Sequence, residues 1–345
     1  MVVLGFDVGG AHLKAARIED GRVTSAVEVA CPLWLGLDRL DAAFAEARKA
    51  VGAAPLNAVT MTGELCDIFP TRAEGVARLC AKVTASLPGD IRFYGGGEGW
   101  LTAELAAAKT DAVASANWHA TASLAARARP HALVIDMGST TTDIIPIVGG
   151  KVAARGLTDA ARLSAGELVY AGATRTFLMA VAQTVPFRGA WTPVMNEYFA
   201  SMADVHRILG ALPEGADLHA TADGREKTAV ASAARLARMI GRDVGEAEGW
   251  EWKNLAEFFA EAQLRAMHDA ALQVLSVVQL PAGAPVVAAG TGRFAVEKLA
   301  ARLGRQCEKW EALVPADARL GTAVSDCAPA VAVALLLAAD QGSPP

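Results

Sequence analysis

The sequence predicts an α/β fold of two lobes with mixed sheets, and three observations predict it. The 345 residues are long enough for two lobes with a deep cleft. Strand-length apolar runs alternate with helix-period segments through the first half, yet the chain opens on adjacent strands, so the sheet is mixed rather than purely doubly wound. A strand–loop–strand signature also occurs twice. It reads Val2-Val3-Leu4-Gly5-Phe6-Asp7-Val8-Gly9-Gly10-Ala11-His12-Leu13-Lys14 near the start. It returns as Ala132-Leu133-Val134-Ile135-Asp136-Met137-Gly138-Ser139-Thr140-Thr141-Thr142-Asp143.

In order along the chain, Val2–Phe6, Leu13–Ile18 and Val23–Val29 read as a hairpin or a three-stranded start, with a turn at Asp20-Gly21. Leu40, Phe44, Ala47 and Val51 are spaced for a helix over 38–52. Ala58–Met61 is a short strand that stops at Thr62-Gly63-Glu64, and Val76, Leu79, Cys80 and Val83 mark a helix over 73–86. Ile91–Tyr94 runs as a strand into Gly95-Gly96-Gly97. Residues 116–127 read as a helix, and Leu133–Ile135 opens the second hairpin, which Gly149-Gly150 follows. Residues 164–182 read as helical, and a helical addition to the second lobe is expected over about 190–280. Leu255, Phe258, Phe259, Ala262, Leu264 and Met267 mark one long amphipathic helix there. Leu280–Pro285 breaks it, Val286–Ala289 is a strand ending in Gly290-Thr291-Gly292, and helices follow over about 294–303 and 322–339. No Ser-, Pro- or charge-rich linker divides the chain. The lobes must therefore share segments, with the first and last residues meeting in one body; the expected lobes are 1–130 and 131–345, with the C-terminal helix packing near their junction.

Composition narrows the function. Apolar residues make up 53% of the chain and the mean hydropathy is +0.29, so a large core is expected. A net charge of −5 supplies no basic surplus to neutralise a phosphate polymer, which argues against nucleic-acid and anionic-membrane partners. Cys31, Cys66, Cys80, Cys307 and Cys327 are scattered, odd in number and free of any C-x-x-C pair. With an N-terminus that runs straight into a strand rather than a signal peptide, they fit a reducing cytoplasmic setting. The apolar stretch Ala328–Ala339 contains Pro329 and is too short to span a bilayer.

The repeated loop carries the chemistry. Gly9, Gly10 and Gly138 let backbone amides approach an anion closely. Asp7 and Asp136 end strands where a carboxylate can hold Mg²⁺, and Ser139, Thr140, Thr141 and Thr142 add hydroxyls. Lys14 can place a point charge on a phosphate. Gly290, Thr291 and Gly292 precede a helix whose N-terminal amides suit a phosphate or the edge of a nucleoside. Two such hairpins facing each other would hold a polyphosphate and its metal.

These three elements, in this order, resemble the phosphate-1, phosphate-2 and adenosine loops of the actin-like ATPase and sugar-kinase superfamily. The resemblance implies a two-lobed, ribonuclease H-like fold. The nearer likeness is to the hydantoinase/oxoprolinase branch, whose loops read D-x-G-G-T-x-x-D. Thr140 and Asp143 keep that pattern, and Asp143 joins Asp7 and Asp136 as a metal ligand by resemblance. Ala11 and Lys14 depart from it, which argues against simple ATP-driven amide hydrolysis. G-F-D-V-G-G-A-H-L-K at 5–14, M-T-G-E-L-C-D-I-F-P-T-R at 61–72, A-N-W-H-A-T-A at 116–122 and I-D-M-G-S-T-T-T-D-I at 135–144 resemble, over essentially the whole length, a small family linked to tetrahydromethanopterin and methanofuran C1 metabolism. That resemblance implies a transferase joining an aminomethyl-furan-methanol diphosphate to the phenol of γ-glutamyltyramine, with diphosphate released. Its cofactor would be Mg²⁺, and its partners these small molecules. ATP or ADP is compatible with the loops but not required, and a homo-oligomer is compatible with the chain.

Other residues stay open. His12 could touch phosphate, act as a base or simply satisfy a turn. Glu64 could be a general base, a ligand for the substrate amine or a helix-terminal charge. Asn117 and Trp118, with His119, offer polar and aromatic groups for a furan or phenol ring, or core packing. Asp204, His206, His219 and Asp223 match no metal-ligand spacing. An ATP-dependent kinase or amidohydrolase, and a non-catalytic nucleotide-binding scaffold, remain as alternatives.

Overall fold

Apolar runs at the N-terminus form β1 (Val2–Val8), β2 (His12–Glu19) and β3 (Arg22–Ala30) in a computed structural model that describes residues 1–342, and β1 is buried on both faces. The three strands are antiparallel, with Asp7 opposite Lys14 and Lys14 opposite Glu28. The helical stripe of Leu40, Phe44, Ala47 and Val51 gives α1 (Asp38–Val51), and the Phe44 ring meets Phe6 edge-on at 5.4 Å. β4 (Leu56–Met61) adds parallel to β1 and sets Thr60 beside Asp7. α2 (Arg72–Ser86) starts at Thr71, whose hydroxyl accepts the Glu74 amide at 3.2 Å. β5 (Asp90–Tyr94) continues the parallel run, β6 (Trp100–Leu101) closes it antiparallel, and the sheet order is β3-β2-β1-β4-β5-β6. Three antiparallel strands continued by two parallel ones make the mixed sheet that the sequence predicts. α3 (Ala103–Ala108), α4 (Thr110–Val113) and α5 (Asn117–Ala128) follow.

The second hairpin is β7 (His131–Met137) and β8 (Thr142–Val148), trailed by β9 (Lys151–Val152), α6 (Asp159–Ala165), β10 (Leu168–Val169) and α7 (Leu178–Val181). A small hairpin of β11 (Thr184–Phe187) and β12 (Ala190–Pro193) precedes α8 (Met202–Ile208), α9 (Ala229–Arg238) and the long α10 (Gly249–Leu275). β13 (Val286–Ala289), α11 (Arg293–Arg302), β14 (Cys307–Lys309), α12 (Ala323–Asp326) and α13 (Ala328–Gly342) complete the chain. The second sheet has order β10-β8-β7-β13-β14, with β9 paired to β8.

The helix expected over 164–182 is not formed. Gly166, at φ +75°, ends α6, and the Thr176 hydroxyl takes the Gly172 amide at 2.7 Å, so the segment turns back on itself. Strands β11 and β12 stand at the start of the 190–280 region, ahead of its three helices. The helix expected over 322–339 breaks at Cys327, ahead of Pro329.

Two compact units emerge. The first comprises Met1–Val134, Ile145–Ser164 and the residues from Glu308 onward; the second comprises Ile135–Ile144 and Ala165–Cys307. The segment from Glu308 on, inside the expected range 131–345, clusters with the first unit, so the first and last residues share one body: apolar α13 packs on β1, β2, β4 and α5. A side chain at Gly5 would put its Cβ 1.9 Å from the Ala330 carbonyl, so α13 lies directly on the β1 backbone. Phe6, Leu13, Phe44, Leu79 and Phe93 share the core of the first unit; Val205, Leu236, Trp252, Leu255 and Phe259 share that of the second. Burial pushes the Cys31 and Cys80 thiols up to about 12, which suits inert packing groups. No helix among the described residues is long and apolar enough to cross a membrane.

Candidate functional site

In the first unit, the β1–β2 loop closes through the Gly9 amide, which donates to the His12 carbonyl at 3.0 Å. Gly9 has no room for a side chain, since a Cβ would lie 2.8 Å from that carbonyl, whereas Gly10 opens onto free space. Asp7 is 4% exposed at the end of β1. The strand register lines Asp7, Lys14 and Glu28 across three neighbouring strands. Glu28 Oε1 is 3.9 Å from Lys14 Nζ and 3.7 Å from His12 Nδ1. Burial raises the Glu28 carboxyl above its ordinary range, Lys14 opposes the rise, and Asp326 adds to it. The Lys14 cation therefore faces a carboxylate of its own sheet as well as the loop, a partner that the strand spacing did not reveal.

Beside this loop, the Thr62 amide donates to the Val8 carbonyl at 3.0 Å, which sets the short turn carrying Glu64. Glu64 is 1% exposed. Its Oε1 lies 2.8 Å from the Ser115 hydroxyl, which is also 3.1 Å from Asp159 Oδ2, and Arg72 forms an ion pair with Asp159. Glu64 Oε2 has no hydrogen-bond partner among the described residues. Burial raises the Glu64 carboxyl above its usual value, against the opposing hydrogen bonds and Arg72. Ser115 holds φ +52°, a strained backbone position that tertiary contacts maintain.

Asn117 and Trp118 begin α5, and the Asn117 side chain accepts the Trp118 amide at 2.8 Å. The Trp118 ring is 4% exposed, with the Arg162 guanidinium 4.1 Å from its centroid, so it is largely committed to packing. The more open ring is its neighbour: His119 Nδ1 lies 2.9 Å from the Tyr94 hydroxyl, and burial lowers the imidazole's pKa, with Arg162 adding to the drop.

In the second unit, the β7–β8 loop repeats the first: the Gly138 amide donates to the Thr141 carbonyl at 2.9 Å. Asp136 is 6% and Asp143 8% exposed. Ser139 and Thr140 hydroxyls lie 3.3 Å apart, and the buried Thr142 hydroxyl donates to the Ala171 carbonyl at 2.5 Å. The glycine turn after β13 packs directly on this loop. The Gly292 amide donates to the Met137 carbonyl at 2.8 Å, and a Cβ at Gly290, whose φ is +80°, would come within 2.4 Å of Asp136 Oδ1. Thr291, 4% exposed, sits between them. The structure thus brings Gly290, Thr291 and Gly292 against Asp136.

The sequence reading missed a second collar on the loop. The Ala173 amide donates to the Gly138 carbonyl at 2.9 Å, and the Thr174 and Arg175 amides donate to the Ser139 carbonyl at 3.1 and 2.8 Å. A Cβ at Gly172 would lie 2.4 Å from the Ser139–Thr140 peptide. Gln263 Nε2 holds the Gly172 carbonyl at 2.9 Å, and His206 Nε2 meets Gln263 Oε1 at 3.0 Å. The A-G-A-T-R-T run at 171–176 was the available signal, hidden inside a segment that reads as helix. Asp204 pairs with Arg235 and Asp223 also pairs with Arg235, so the acids of this region form an ion-pair cluster; His206 bonds Gln263 instead. Among the described residues no three His, Cys, Asp or Glu side chains converge as a preformed metal site.

A model of the hydantoinase/oxoprolinase family matches residues 56–331, a range that includes the second loop and the Gly290 turn and begins after the first loop. The chain belongs to the hydantoinase/oxoprolinase family. Among its relatives is a Methanocaldococcus jannaschii protein named (4-{4-[2-(gamma-L-glutamylamino)ethyl]phenoxymethyl}furan-2-yl)methanamine synthase, 34% identical over 70% of this chain and 72% of its own. A Methanococcus vannielii protein of the same name is 38% identical over 36% of this chain, and the match spans 55% of that relative. Among solved structures, a nucleotide-free acetone carboxylase aligns with 96% of this chain and 70% of its own at a TM-score of 0.61 and 12% identity, a likeness of fold.

Proposed function

We propose that this family member is a transferase of methanofuran, or methanofuran-analogue, biosynthesis. It couples an aminomethyl-furan-methanol diphosphate to the phenol of tyramine or γ-glutamyltyramine and releases diphosphate. The observation that carries this reading is the 34% identity to a synthase whose named product contains a phenoxymethyl-furan ether. Each loop offers backbone amides and polar side chains of the kind such a reaction needs. As the phenol oxygen bonds to the furan methylene carbon, the bond from that carbon to the diphosphate oxygen breaks. The diphosphate leaves with the electron pair, and the phenol proton passes to a base. Charge develops on the leaving group, so amides and hydroxyls fixed around it stabilise the transition state.

Gly9, Gly10, Gly138, Ser139, Thr140 and Thr141 would hold the diphosphate, with Lys14 supplying positive charge. The carboxylates of Asp7, Asp136 and Asp143 are hard oxygen donors, and Mg²⁺ is commonly held by one or two carboxylates plus substrate phosphates, so the residues present suit it. When bound, Mg²⁺ would neutralise charge on the leaving diphosphate. Glu64 is our choice of base. Its buried carboxyl binds a proton more tightly than an exposed one, which narrows the gap to a phenol of ordinary pKa about 10. Ser115 and Arg72 orient it, and His12 is the second choice.

The test is incubation with both substrates and Mg²⁺, reading diphosphate and the coupled ether by mass spectrometry. Diphosphate release that requires both substrates supports the transferase. Absence of ether with authentic substrates overturns it, and substrate-dependent ADP formation from ATP would point instead to a kinase or amidohydrolase.

A further inference from the structure

The segment from Thr174 to Phe177 is clasped between two backbones. On one side, the Thr174 and Arg175 amides bond the Ser139 carbonyl of the second loop. On the other, the Met202 amide donates to the Thr176 carbonyl at 2.9 Å, the Ala203 amide to the Thr174 carbonyl at 3.2 Å, and Phe177 bridges Ser201. The clasp fixes two side chains. Arg175 Nη1 lies 3.4 Å from the Thr140 hydroxyl. Phe177, two residues on, lies against Tyr198 with ring centroids 4.2 Å apart and planes tilted by 40°. Both rings remain open to solvent, Phe177 by 39% and Tyr198 by 38%. Burial raises the Tyr198 phenol above its ordinary value, Asp204 and Asp217 reinforce the rise, and Arg175 and Arg235 oppose it, so the guanidinium acts on that ring as well as on the loop.

This pair differs from the packed aromatics of the same unit. Phe187 stacks on Trp252 at 5.2 Å with exposures of 6% and 2%, which is core packing. Phe177 and Tyr198 hold a fixed ring pair at the surface beside a guanidinium and a phosphate-type loop, an arrangement the core does not call for.

We infer that Arg175, Phe177 and Tyr198 form a ligand subsite beside the second loop, in which the guanidinium takes a diphosphate and the ring pair takes a flat ring attached to it. The inference rests on the proposed transferase reading, in which that ring is the furan of the diphosphate substrate. The ligand chemistry is a diphosphate with a planar ring; ADP also combines the two, with a ribose between them. Two residues of extended chain span about 7 Å, a reach that suits a diphosphate and a ring one methylene away.

The experiment titrates the full-length protein with Mg²⁺ and three probes by calorimetry: inorganic diphosphate, aminomethyl-furan-methanol diphosphate and ADP. Arg175→Ala is expected to weaken inorganic diphosphate ~10-fold or more, with Arg175→Lys recovering part of the loss. Phe177→Ala and Tyr198→Ala are expected to weaken the furan diphosphate ~3- to 10-fold and leave inorganic diphosphate unchanged. Phe177→Tyr and Tyr198→Phe, which keep the rings, should bind as the parent does and guard against misfolding. If ADP, and not the furan ligand, responds to the ring variants, the subsite stands and the transferase reading falls. If neither ring-bearing ligand responds, or Arg175→Ala leaves diphosphate binding intact, the subsite is overturned whatever the reaction proves to be.

Discussion

The two loops share one backbone device and differ in what surrounds it. Each is a hairpin closed by a glycine amide on the carbonyl three residues later, at 3.0 Å in the first and 2.9 Å in the second. The first is held from beneath, by α13 pressed onto Gly5, and from the side by the charges of Lys14 and Glu28. The second is held by irregular backbone: the 171–176 collar and the Gly290 turn. At matching positions the first loop carries Ala11 and Lys14, the second Thr140 and Asp143. The loop set on the core thus has fewer oxygen donors, and the loop wrapped in turns is rich in them. Under the proposed function, the first loop would supply charge and support and the second most of the ligand contacts.

The largest test is removal of the carboxylates. Asp136→Ala and Asp7→Ala should each lower kcat by ~10²- to 10³-fold, by analogy with loss of one preorganised group around developing charge. A steady-state assay that shows loss only for Asp136→Ala would break the idea of a two-sided clamp. Next, the supports can be separated. Gly5→Ala forces a Cβ against the Ala330 carbonyl and should cost about 3 kcal/mol of stability in denaturant unfolding. Gly172→Ala presses on the Ser139–Thr140 peptide and should show mainly as a ~30-fold fall in kcat, because a displaced loop misorients the reacting groups.

Acid provides the third test. Burial lowers His206 from 6.5 to about 4, with Lys298 adding to the drop and the Gln263 hydrogen bond opposing it. A His depressed in the folded state stabilises the fold above its unfolded pKa, and that contribution disappears as pH falls from about 6.5 toward 4. Up to ~3 kcal/mol should be lost across that window, and His206→Gln should lose less. An identical pH–stability curve for the variant would remove His206 from the account. The smallest effect is expected from Lys14→Asp, which gives the first loop the residue type of the second. It sets a carboxylate opposite Glu28 and Asp7 and should cost ~1–3 kcal/mol of stability. A stable variant would mean that the charge at position 14 is free to change.

Much of this is legible in the sequence. The N-terminal strands, α1, α2, α5 and α10 follow from periodicity, because each buries one face of a regular element. The loops were legible because a glycine after a strand-end Asp is a local demand of the backbone. The collar was not. Residues 166–177 contain apolar and small residues compatible with a helix, and only Gly166, Thr176 and contact with the loop turn them aside. Trp118 reads as an aromatic for a ligand, yet Arg162, distant in sequence, covers its face.

The sequence by itself determined the two hairpins, their acids and hydroxyls, and the mixed α/β order, because these depend on local backbone geometry and hydrophobic period. Only the tertiary structure decided that Glu28 faces Lys14, that Gly290 rests on Asp136, that α13 belongs with the first strands, and that Arg175 stands beside an open aromatic pair. Those are meetings of residues tens to hundreds of positions apart, and they are fixed by packing and burial, which no local spacing encodes.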